Sequence, residues 1–260
     1  EPKWELARVR RGGQSGPVNG PPTPAHGGFH NYFGPQAARY REFRPRYPAA
    51  LFHYLAVVGG GTRVAWDCAT GNGQAAVRLA ERFARVIATD PSDEMIAHAI
   101  PHPRVTYSVA KYESRLPDRS ANLVTVAQAL HWFDLDPFIR EVRRVLLPGG
   151  VLAVWCYSRC SVDPGVDEVV DLFYRVTLGP YWSRERRHVD EGYRTIALPL
   201  DEMAPPPFEM TEQWTLSEFA SYIRTWSAVN KFIEPAARNR CWRSRKRLRG
   251  CGAHRIGGGA

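Results

Sequence analysis

Between Arg63 and Tyr157 short apolar runs alternate with amphipathic stretches, and this alternation limits the fold more than any other feature of the chain. Arg63–Ala69 (RVAWDCA), Ala84–Asp90 (ARVIATD), Val105–Ala110, Leu123–Ala129 and Val151–Tyr157 have strand length and few polar interruptions. Between the first two, Ala76, Leu79, Ala80 and Phe83 fall on one helical face, and after Asp136-Pro137 so do Ile139, Val142 and Leu146. Ser92 is placed to cap a helix whose first turn carries Asp93 and Glu94, and Pro148-Gly149-Gly150 ends the helix before the fifth strand. Apolar strands separated by amphipathic helices need cover on both faces, so the expected fold is α/β, a doubly wound, mostly parallel sheet. In such sheets ligands bind at the carboxyl ends of the strands.

The rest of the chain is less regular. Residues 1–28 are rich in Gly and Pro and show no period; they read as a flexible leader, or as sequence outside the native start. A main domain over 29–235 is expected, with a helical cap inserted at about 158–207 from Val166–Leu178 and Trp182–Ile196. Phe208–Leu216 suggests a sixth strand and Ser217–Asn230 a helix. Residues 236–260 form a basic tail without alternation, so a final strand is expected to be missing.

The net charge of +9 invites a nucleic-acid reading. Eight basic residues and no acidic ones lie in 236–260, whereas 29–235 holds 23 bases against 24 acids. The core is therefore balanced, and binding of nucleic acid would rest on the tail alone. A replaced native end explains the tail better, because the change is abrupt and falls where a strand is due. The five cysteines form no C-x-x-C pair and no His lies at finger spacing from them, so no metal is expected. No apolar run approaches the ~20 residues of a membrane span, and the odd cysteine count without a secretion signal suggests the cytoplasm.

Chemistry concentrates at the strand ends. The first strand runs into Asp67-Cys68-Ala69-Thr70-Gly71-Asn72-Gly73, where glycines permit tight turns and close approach of a ligand. The second ends in Asp90, a carboxylate suited to both hydroxyls of a ribose. Gly71-x-Gly73-x-x-Ala76 loosely fits a dinucleotide fingerprint, which keeps an NAD-linked oxidoreductase open. Asp67 favours an adenosine-based sulfonium cofactor instead: it would repel a pyrophosphate and attract a cationic α-amino group. The third strand leads into Lys111-Tyr112-Glu113-Ser114 and the fourth into Ala127-Gln128-Ala129-Leu130-His131-Trp132-Phe133-Asp134. His131 suggests a general base, since imidazole titrates near neutrality, or a residue that merely fixes its loop.

Taken together, AWDCATGNGQAA, ARVIATDPSDEMI and LVTVAQALHWFDLDPFIREVRRVLLPGGVLAVW resemble class I S-adenosylmethionine-dependent methyltransferases. YREFRPRYP and ALHWFD look more narrowly like the group with trans-aconitate methyltransferase and the fungal cantharidin-detoxifying enzyme. The resemblance covers roughly residues 32–233. It implies S-adenosylmethionine as cofactor, with Asp67, Gly71 and Gly73 around its methionine moiety and Asp90 on the ribose. Met95 would meet the adenine or serve as ordinary core, and Glu113, or Tyr112 in another alignment, would lie near its amine. Ala127 and Trp132 would line the methyl-transfer site, with Tyr40, Arg44 and Tyr47 at the mouth and Tyr40 or Arg44 on the cofactor carboxylate. Ala69 departs from the glycine of many relatives. The implied acceptor is a small molecule, possible as a carboxylate oriented by Arg44 and Arg46 or by Arg184, Arg186 and Arg187. The oligomeric state stays open.

Overall fold

The computed structural model describes residues 3–5, 9–11 and 43–234. Five parallel strands follow the sequence pattern closely: β3 (Val64–Cys68), β4 (Arg85–Asp90), β5 (Val105–Val109), β6 (Ala121–Ala127) and β7 (Leu146–Trp155). They lie in the order β5-β4-β3-β6-β7, so the order reverses between β3 and β6, the position at which a doubly wound sheet opens a ligand crevice. Between them run α1 (Ala49–Val58, ahead of β3), α2 (Gln74–Ala80), α3 (Asp93–Ala97) and α4 (Leu135–Val145). The Ser92 hydroxyl caps α3 by accepting from the Met95 N–H, as the sequence suggested. From α4, Phe138, Ile139, Val142 and Val145 enter a core shared with Trp66, Val124, Val126, Leu152 and Val154 of the strands. β7 begins five residues earlier than the expected fifth strand, because Pro148-Gly149-Gly150 is taken into the strand, with Gly149 at φ +79°.

Beyond β7 the sheet becomes antiparallel. β2 (Val9–Arg11) pairs with β7, Val9 opposite Ala153, and on its other side with β8 (Asp201–Met203), Val9 opposite Met203. β1 (Lys3–Glu5) pairs with β9 (Glu209–Thr211) in a separate two-stranded sheet. The leader read as flexible thus contains two strands. Three-residue strands carry no readable period; the ladder of an existing edge holds them. The antiparallel place beside β7 is occupied from the leader, while residues 236–260, where a final strand was sought, lie outside the described residues. The strand expected at Phe208–Leu216 shrinks to β9 and pairs outside the main sheet.

The chain divides into two compact units. One holds the residues up to Val162 together with Arg184–Trp214, which include the sheet. The other joins Asp163–Ser183 to the segment from Thr215 onward. The 158–207 cap of the sequence reading does not match this division. Arg184–Trp214 packs with the sheet through Val189, Tyr193, Ile196, Leu198 and Leu200. The second unit contains α5 (Pro164–Leu172), which continues as a π turn, with α7 (Leu216–Arg224) and α8 (Ser227–Ile233); α6 (Arg186–Asp190) belongs to the first. Tyr174, Trp182, Tyr222 and Trp226 form its aromatic centre, and Thr215 with Glu218 closes a capping box on α7. Among the described residues no helix is long and apolar enough to cross a membrane.

Candidate active site

Asp67 stands on β3 at the point where the strand order reverses, 1% exposed. In register with it on β6, Thr125 donates its hydroxyl to Oδ1 at 2.6 Å, and Thr70 donates to Oδ2 at 2.5 Å. Burial pushes the Asp67 carboxyl up to about 6; the Thr125 and Thr70 hydroxyls hold it down, and the neighbouring Asp90 adds to the rise. Asp90, ending β4, is also buried and also raised, chiefly by desolvation. Its Oδ2 accepts the Gly71 N–H at 2.8 Å and its Oδ1 the Ser92 N–H at 2.9 Å. An ionised carboxylate has about four acceptor positions, so capacity remains for ligand hydroxyls.

The loop between β3 and α2 is bent to reach these carboxylates. Ala69 (φ +56°), Gly71 (φ +58°) and Gly73 (φ +86°) all take left-handed backbone. A Cβ on Gly73 would sit 2.2 Å from the Tyr107 hydroxyl, so glycine is obligatory there. On Gly71 it would meet only the Met95 methyl, at 3.2 Å. Met95 is therefore core and loop floor at once, 6% exposed beneath Gly71. Ala69 explains why glycine suits this place: alanine bears a left-handed strain of about 1–2 kcal/mol. Buried Asn72 leaves its amide nitrogen Nδ2 without a partner among the described residues, in the middle of the same loop.

The other expected residues divide. Ala127 ends β6 half-buried and is followed by Gln128 at φ +60°, whose side chain donates to the Tyr157 carbonyl at 2.9 Å. Left-handed residues thus follow both β3 and β6, flanking the crevice. Glu113 is exposed, and its carboxylate turns back onto the N–H groups of Lys111 and Tyr112. Buried Tyr112 accepts the Asp134 N–H at 2.7 Å. Arg44 donates from Nη1 to the Tyr157 hydroxyl at 3.1 Å, just past β7, while Arg46 is exposed. Tyr40 lies outside the described residues. His131 and Trp132 occupy a 3-10 turn after β6, their rings 4.7 Å apart. His131 is 9% exposed, with Nδ1 3.0 Å from the Tyr193 hydroxyl. Burial lowers its pKa to about 3, and the charges of Arg186 and His188 lower it further; at neutral pH it is an uncharged and weak base. Thr125 and Tyr193 went unnoticed in the sequence, where nothing marks a threonine or tyrosine as the partner of a residue tens of positions away, and Thr70 and Asn72 were read only as part of the glycine loop. Among the described residues no cluster of His, Cys, Asp or Glu is placed to hold a metal.

A five-stranded parallel sheet with an acid at each of its first two strand ends and a glycine loop between them defines a Rossmann-like methyltransferase architecture. The model of the methyltransferase domain matches residues 66–154, which span β3 to β7. A protein of Dictyostelium discoideum described as a methyltransferase is 33% identical over 218 residues, 82% of each chain. An uncharacterized methyltransferase of Mycobacterium tuberculosis is 39% identical over 192 residues, 69% of this chain and 78% of its own. The solved structure of a protein of Anaeromyxobacter dehalogenans, described as a type II methyltransferase, superposes with a TM-score of 0.70 at 48% identity, covering 76% of this chain and 83% of its own. The chain belongs to the class I S-adenosylmethionine-dependent methyltransferases; it is an enzyme, with S-adenosylmethionine as its cofactor. The oxidoreductase and nucleic-acid readings are not favoured.

Proposed function

We propose that the enzyme methylates a small molecule through a carboxylate oxygen, in the cytoplasm, and that the β3–β4–β6 edge holds the cofactor. The observation that carries this reading is the pair of buried carboxylates, Asp67 and Asp90, joined through the Gly71 loop. Desolvation raises both carboxyls, and none of the causes of either shift is a neighbouring cation; an α-ammonium would bring positive charge to Asp67 and a ribose would bring hydroxyl donors to Asp90. The open side of Gly71 and the unpartnered Asn72 amide fit such a ligand. When bound, S-adenosylmethionine supplies a methyl group on positive sulfur, already electrophilic without help from a base.

In this reading Asp67 receives the ammonium, Asp90 the ribose hydroxyls, and Gly71 and Gly73 keep Cβ atoms out of the way. Met95 supports the adenine from below, and Glu113 offers its carboxylate near the exocyclic amine. Ala69 and Ala127 keep the floor of the transfer site small, and Trp132 shields it from water. Arg44 closes the mouth. A carboxylate acceptor needs orientation rather than deprotonation. Arg44, anchored on Tyr157, provides a cation at this edge of the sheet. The trans-aconitate-like motifs YREFRPRYP and ALHWFD support the same acceptor class.

A thermal melt with S-adenosylhomocysteine tests the cofactor site. At ~100 times its dissociation constant the ligand should add ~2.7 kcal/mol, a rise of about 5–10 °C. Asp90→Ala should weaken that ligand about 100-fold while the melt stays cooperative, since it removes charge-assisted hydrogen bonds worth roughly 1.5–3 kcal/mol each. Unchanged affinity would remove Asp90 from the site.

A further inference from the structure

The helix that begins at Pro164 is apolar on two faces, and packing covers one of them. Asp163 fixes its start, its carboxylate accepting the Gly165 and Val166 N–H groups at 2.9 and 3.0 Å. From there α5 runs to Leu172 and continues as the π turn Phe173–Thr177. On the inner face Val170, Tyr174 and Leu178 are buried, with Tyr174 against Trp182 and Trp226. On the outer face Val169, Leu172 and Val176 stand 68%, 62% and 55% exposed. Their helical spacing puts them in one stripe. Single exposed apolar side chains are ordinary, whereas a contiguous stripe marks a surface that something covers.

The charges beside the stripe say what covers it. Glu168 and Arg175 are both exposed, one toward each end of the stripe. They stand one heptad apart, so they lie on the same flank. Asp171 holds Arg175 in place, accepting from its Nε at 2.9 Å. An acid at one end and a base at the other make the flank complementary to itself when it is turned end for end. A parallel copy would meet like charges instead. Antiparallel helices also set the positive end of one backbone dipole beside the negative end of the other.

We propose that the Val169–Leu172–Val176 stripe is the docking surface for a second copy of this chain, with α5 packed antiparallel on α5 across a twofold axis near Leu172. Each Glu168 then faces Arg175 of the second copy, and Val169 of one copy lies beside Val176 of the other. This is a closed, isologous contact, the same patch meeting itself. It does not depend on which acceptor the enzyme methylates. The stripe is only about two helical turns long, so the dimer is reversible, with a dissociation constant on the order of 10–100 µM.

Sedimentation velocity on the full chain, from about 1 to about 300 µM at physiological salt, tests it. The expected result is a monomer–dimer equilibrium. A monomer across the whole range overturns the proposal and leaves the stripe to another protein or to another segment of this chain. Leu172→Lys changes an exposed side chain and should weaken the dimer at least about tenfold, because it sets two ammonium groups together at the axis. A dimer indifferent to that change forms through a different surface, and the proposal falls. Glu168→Arg and Arg175→Glu should each weaken association about tenfold, since each places like charges opposite one another at two symmetric positions. An equimolar mixture of these two variants, and the double variant Glu168→Arg/Arg175→Glu, should both recover the unaltered affinity within about threefold. Loss without recovery overturns the antiparallel pairing. Recovery in the mixture uses the same two proteins, so it also shows that neither had lost its fold.

Discussion

Asp67 and His131 are both buried at the carboxyl edge of the sheet, and burial moves them in opposite directions. Removing water disfavours the charged form of either group. For the carboxyl this means a rise to about 6, and for the imidazole a fall to about 3. The residue usually associated with physiological pH therefore stays silent, and the aspartate becomes the group that titrates near neutrality. The lesson concerns function as much as electrostatics. A buried carboxylate kept ionised at a cost is prepared for a cation, whereas a buried imidazole kept neutral carries no charge to offer a ligand.

The largest test of this contrast is Asp67→Asn. The folded-state pKa of Asp67 exceeds its unfolded value, so its contribution to stability is present at low pH and is lost as pH rises from about 4 through about 6. At pH 7.5 the deficit is about 3 kcal/mol, which the amide should recover while cofactor binding falls about 100-fold. Urea denaturation at pH 4.5 and pH 7.5 measures the first effect and calorimetry with S-adenosylhomocysteine the second. His131 gives the opposite slope. Its folded pKa lies below the unfolded one, so stability is lost as pH falls below about 6.5. By pH 5 this costs about 2 kcal/mol, and His131→Gln should abolish that share of acid destabilisation in the same denaturation series.

A smaller effect is expected on ligand affinity. Below about pH 6 protonation of Asp67 should weaken S-adenosylhomocysteine up to about tenfold per pH unit, ~1.4 kcal/mol, with Asp67→Asn flat over the same range. A slope that persists in the variant would assign the titration to another group. The smallest change is Ala69→Gly. Relief of the left-handed strain, less the added chain entropy of glycine, should stabilise the fold by about 0.5–1 kcal/mol without altering the pH slopes.

Legibility in the sequence followed the range of the interaction. The five parallel strands were readable because each is a local apolar run, and Asp67, Gly71, Gly73 and Asp90 because a carboxylate and glycines at strand ends form a local pattern. Thr125 could not be found this way, since it meets Asp67 only through the β3–β6 register, 58 residues apart. Tyr193 meets His131 across 62 residues from a segment taken for a cap. The short strands β1 and β2 escaped for a related reason: what makes them strands is the edge they join. The basic tail drew attention through its composition, which says nothing about the balanced sheet region where the site lies.

The pairing of β2 has a consequence for how the protein is made. Val9–Arg11 leaves the ribosome before any of its partners exist, and its ladders close only with Val151–Ala153 and Asp201–Met203. At ordinary translation speeds the second partner follows on the order of ten seconds or more later. Until β2 pairs with it, the newly made β7 has a bare edge, and the chain between them must keep Val9–Arg11 within reach of it.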